Sequence, residues 1–75
     1  MANNGRFVVM LPSERLARAV AGTLSLIFPT HGFEVRPGPT RPCVYVTGAP
    51  DIQAVDSMHK VALGAAAVHD LASAA

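Results

Sequence analysis

The apolar pattern of the chain predicts an α+β fold with the element order β-α-β-β-α, a small three-stranded mixed sheet packed with two helices. Three observations lead there. They are an unbroken apolar run at residues 7–11, two short β-prone runs either side of a Pro-Gly-Pro turn, and two segments whose apolar residues recur at helical spacing. With 51% hydrophobic and 15% charged residues in 75, the chain is too apolar for intrinsic disorder and too short for more than one domain, over 1–75.

The first strand spans about 6–11. Phe7, Val8, Val9, Met10 and Leu11 run without a polar break between Gly5 and Pro12, which reads as a strand covered on both faces, and hence the central one. Pro12 and Ser13 then open a helix over about 13–28, with Ser13 as its cap and Glu14 in the first turn, where the helix dipole favours an acid. Leu16, Val20, Leu24 and Ile27 or Phe28 form its apolar stripe, and Pro29 ends it. Gly22 costs this helix roughly 1 kcal/mol relative to Ala, and its small size lets a sheet or a second subunit come close.

Strands follow at about 33–36 and 42–47. Phe33-Glu34-Val35-Arg36 alternates apolar and polar, Pro37-Gly38-Pro39 makes a stiff turn, and Cys43-Val44-Tyr45-Val46-Thr47 has strong β propensity, so the two pair as a hairpin. Alternation leaves open whether Cys43 or Val44 faces the core. Asp51 caps a long last helix over about 51–72, apolar over a wide arc: Ile52, Val55, Met58 or His59, Ala62, Ala65 and Ala66 make one stripe, and Val61, Val68 and Leu71 its neighbour. A right-handed crossover sets the first two strands parallel and the hairpin adds an antiparallel third. The helices then either share one face of the sheet, leaving the other open, or cover one face each.

Six basic residues against five acidic give a formal charge of +1, too little for a long-range field that would gather nucleic acid or a membrane surface. The single cysteine excludes an intramolecular disulfide framework and suits a reducing, cytoplasmic location. The polar start of the chain lacks the pattern of an export signal, and the apolar stretch at 61–75 is interrupted by His69 and Asp70 and is too short to cross a bilayer. The core is short of bulk. Phe7, Phe28, Phe33 and Tyr45 are the only aromatic residues and thirteen residues are Ala, so a monomer buries little area per side chain. Self-association as a homodimer is therefore expected, with the small residues Ala62, Gly64, Ala65, Ala66 and Ala67 of the last helix allowing close backbone approach.

Four groups of residues carry candidate chemistry. Cys43 is the one thiol, and Arg41 two residues before it would favour the nucleophilic thiolate; the competing reading is a small buried hydrophobe. Asp56 and His59 share a helix face and form half of a metal site that a dimer would have to complete. Arg15 and Arg18 lie together on the first helix, and Arg36 and Arg41 flank the hairpin turn, a modest basic patch with Tyr45 available for stacking. The stretch at 48–51 has one Gly and no Lys-Ser/Thr after it, so no cofactor is expected; the helix start there would hold a small anion only weakly. No G-x-S-x-G motif organises the serines, histidines and acids into a triad.

Pro12 with Ser13, Pro37 with Pro39, and Cys43 are features by which the segment from Phe7 to Val46 resembles small sulfur-carrier-like proteins. The resemblance implies a thiol carrier role for Cys43, and it departs from that pattern where Val44 stands after the cysteine in place of Gly. The residues themselves favour a small non-enzymatic protein-interaction or regulatory module. It would act as a homodimer and bind a larger protein through the hairpin edge or the long helix. The alternatives are a thiol carrier or redox accessory using Cys43 and a weak nucleic-acid-binding regulator using Arg15, Arg18, Arg36 and Arg41.

Overall fold

A computed structural model describes residues 5–48 and 50–74, the side chains of 72–74 excepted; residues 1–4, where the polar start of the chain lies, fall outside that range. The elements are β1 (Arg6–Met10), α1 (Glu14–Ile27), β2 (Phe33–Pro37), β3 (Pro42–Val46) and α2 (Ile52–Ala74), which is the α+β order read from the sequence. The sheet runs β1-β3-β2. β1 and β2 point the same way, as a crossover requires, yet β3 lies between them, so both ladders are antiparallel rather than one parallel and one antiparallel.

This order moves the centre of the sheet from the first strand to the third. Val44 and Val46 are fully buried and pair on both sides, whereas β1 is an edge strand. The apolar run at 7–11 was expected to be covered on both faces because it lacks alternation. Its true cause is a bulge. The ladder pairs Phe7 with Tyr45 and Val9 with Val44, and Val8 has no partner, so Val8 and Val9 both enter the core while Phe7 and Met10 face the other way. The ladder continues beyond the strand, where the Leu11 N–H donates to the Pro42 carbonyl at 2.9 Å. Pro42, with no N–H to give, sits at the first position of the central strand.

Both helices pack on one face. α1 lies under β2 and β3, α2 lies under β1, and the helices pack against each other. Ser13 caps α1 as expected, its Oγ accepting from Leu16 N at 3.2 Å, and Asp51 Oδ1 accepts from Ala54 N at 2.8 Å at the start of α2. Phe28 caps α1 from outside instead of extending it, its N–H donating to Leu24 O at 2.8 Å. Ala17, Val20, Leu24, Met58 and Ala62 join the buried valines of the sheet in one core. Gly38 is required by the hairpin: a Cβ there would lie 2.3 Å from the Arg41 carbonyl and 2.6 Å from Cys43 Sγ. No described helix is long and apolar enough to cross a membrane.

Core truncation should be costly and surface truncation should not. Leu24→Ala, at a fully buried position, should lose about 2–5 kcal/mol in urea unfolding, while Leu26→Ala, two residues on and 84% exposed in the single chain, should change the stability of the dilute monomer by less than about 0.5 kcal/mol.

Candidate functional site: the helix-free face of the sheet

Because both helices share one side, no described element packs on the other side of the sheet. Its side chains follow from the register. Phe7, Tyr45 and Glu34 form one row across the three strands, and Met10, Cys43 and Arg36 form the next. Val44, paired with Val9 and Val35, faces the core; Cys43 therefore faces away from it. Phe7 and Met10 remain 47% and 46% exposed.

These residues make an aromatic and guanidinium surface. The Phe7 and Tyr45 rings meet edge to face, centroids 6.0 Å apart at 82°. Arg36 Cζ lies 4.7 Å from the centre of the Tyr45 ring, a cation-π geometry. The same guanidinium donates from Nε to Glu34 Oε1 at 2.8 Å. Its far end reaches toward β1, where a Cβ on Gly5 would fall 2.9 Å from Nη2. One arginine thus crosses the sheet from β2, over Tyr45 of β3, to the start of β1.

Cys43 lies on this face but is only 3% exposed. The hairpin turn folds over it at Gly38, and its thiol donates to the Arg41 carbonyl at 3.5 Å. The hairpin backbone thus limits access to this sulfur in the folded state. Asp56 and His59 line one shallow cleft beside Phe7 and Val8, each with a partner of its own. Asp56 Oδ2 lies 3.3 Å from Lys60 Nζ, and His59 Nδ1 lies 2.6 Å from the Val8 carbonyl. A carbonyl only accepts, so the proton of that bond sits on Nδ1. Among the described residues no three His, Cys, Asp or Glu side chains gather as a metal ion would need.

The four arginines separate. Arg18 pairs with Glu14 at 2.6 Å on α1 and Arg36 pairs with Glu34 on the sheet, so two of the four are neutralised locally. Arg41 shares a cleft at the hairpin with Arg36 and Glu14, and Arg15 lines another with His69 and Asp70 between α1 and α2. Ala62 is fully buried in the core, and Ala65 and Ala66 pack partly against it, so these three serve contacts within the chain. The sequence alone offers Tyr45 as a stacking residue; that Phe7 and Met10 join it on one surface it does not show. The signal was available in the opposed directions of Tyr45 and its neighbours Val44 and Val46, but the bulge hid it in β1.

Two measurements follow. Native protein should react with a thiol reagent such as dithionitrobenzoate at least about 100-fold more slowly than protein unfolded in urea, because Cys43 must await an opening event. His59→Ala should cost about 1–3 kcal/mol in unfolding free energy by leaving the Val8 carbonyl without its partner, more than Lys60→Ala one residue further along the helix. Comparison with protein-family models, with curated protein sequences and with solved structures returns no match for this chain.

Proposed function

We propose that the protein is a small non-enzymatic interaction module that holds a partner protein against the helix-free face of its sheet. The observation that carries this reading is the patch of Phe7, Tyr45, Met10 and Arg36 on a face that neither helix covers among the described residues. Aromatic residues, Met and Arg are the types enriched at protein interfaces, and Tyr and Arg are frequent among the residues that dominate binding energy. The module is suited to an apolar segment of a partner laid across the strands, with the Arg36 fork and Glu34 setting its orientation. The thiol reading has less support, since Cys43 is covered.

A second reading, binding of single-stranded nucleic acid, draws on the same Tyr45 and Arg36, because bases stack on aromatic rings. The ion pair with Glu34 favours the protein partner: a guanidinium already neutralised at 2.8 Å adds little attraction for phosphate. A photo-crosslinking amino acid in place of Phe7 separates the two. In extracts of the source cell it should yield a discrete protein adduct that the same group at exposed Gln53 does not yield and that Met10→Lys removes. Labelled oligo(dT) and oligo(U) should show no change in polarisation at low salt. Identical adducts from positions 7 and 53, or oligonucleotide binding that Tyr45→Ala abolishes, would refute the module reading.

A further inference from the structure

The helix layer has an outer face of its own, pointing away from the sheet, and it is apolar without being covered. Leu26 and Ile27 at the end of α1 are 84% and 51% exposed, and Val68 and Leu71 on α2 are 65% and 72% exposed. Ile27 and Val68 line one groove between the helices together with Val61 and Gly64. Leu71 stands two turns after Gly64 on α2, and Leu26 stands one turn after Gly22 on α1, so each exposed leucine shares a helix face with a glycine.

Those glycines have no reason inside the chain. A Cβ built on Gly22 or on Gly64 meets no atom within 4 Å, and neither residue has a positive φ. Each costs a helix interior about 1 kcal/mol relative to Ala. Their value lies in what they leave room for. Ala62, by contrast, is fully buried in the core, and Ala65 divides its surface between the core and the groove.

We infer that a second copy of this chain covers this face, the two helix layers meeting back to back with Gly64 at the closest approach of the backbones. The area is what such a pairing needs. At their exposures the four large side chains present on the order of 450 Å² per copy, the size of the largest apolar patch on a typical monomer, which is often a functional surface. Covering them on both copies buries about 900 Å², and Thr23, Val61, Gly64 and Ala67 bring the total to the roughly 1,000–1,200 Å² at which specific interfaces begin. His69 is the ionisable residue that lines the groove, and its Nε2 already meets Thr23 Oγ1 at 3.2 Å, so covering the groove with a second copy leaves that ring nitrogen partnered. This inference does not depend on the sheet face, which stays open on the outside of both copies.

Sedimentation equilibrium of the full chain at about 100 µM tests it, the concentration being chosen to populate a dimer of micromolar affinity. The wild type should sediment at twice the chain mass of 7.8 kDa. Gly64→Leu, which an isolated copy has room for, should keep its far-ultraviolet circular dichroism and weaken the dimer at least about tenfold. Leu71→Lys should weaken it similarly, so the face is still read if one variant folds poorly. Phe7→Lys on the sheet should leave the dimer intact. A wild-type monomer at this concentration overturns the inference; so does a dimer that both helix variants leave intact or that Phe7→Lys dissociates.

Discussion

His59 donates from Nδ1 to the carbonyl of Val8 at 2.6 Å, and this bond joins α2 to the bulge of β1. The bulge takes Val8 out of the ladder and with it removes the partner its carbonyl would have had on β3. Without the imidazole that carbonyl would be left in a part-buried site with no acceptor role to fill. With it, Val8 and Val9 both reach the core, α2 is anchored along β1, and Phe7 and Met10 turn outward. The positions of the buried and the open faces of the edge strand therefore follow from one backbone irregularity and the side chain that satisfies it.

The helix layer is tied together more loosely at its other end. Thr23 Oγ1 donates to the Ala19 carbonyl at 3.2 Å, and having one hydrogen it accepts from His69 Nε2, also at 3.2 Å. Two histidines thus hold α2 at two distances along its length, one to the sheet and one to α1. Between them the contacts are made by Val61, Ala62, Ala65 and Ala66, side chains of modest size. Small side chains bring the helices close but bury little area each. This thin packing is why the outer surfaces retain so many large apolar residues.

Two surfaces with different chemistry result. The sheet face holds rings, a thioether and a paired guanidinium, with polar atoms distributed among apolar ones. The outer helix face holds aliphatic side chains and two glycines. A face of the first kind suits selective recognition, because Arg36 and Glu34 impose an orientation; a face of the second kind suits self-pairing, because it offers close approach and no direction. They lie on opposite sides of a domain only two layers thick.

The order and type of the five elements were legible in the sequence, because local signals set them: Ser13 and Asp51 as caps, Pro29 and the Pro-Gly-Pro turn as breaks, and the helical spacing of Val20 and Leu24. The wide apolar arc of α2 was legible too. What the sequence could not determine was which strand lies in the middle, since pairing of β3 between β1 and β2 is a choice among ladders that local residues do not encode. Nor could it separate an apolar run buried on two faces from one interrupted by a bulge, because both read as Phe-Val-Val-Met. The covering of Cys43 by the hairpin, the crossing of Arg36 over Tyr45, and which small residues of α2 enter the core, as Ala62 does, and which face outward, as Gly64 and Ala67 do, were decided by tertiary structure alone. In each case the deciding contact joins residues distant in the chain or set by the direction a strand or helix finally faces, and hydrophobic periodicity carries no record of either.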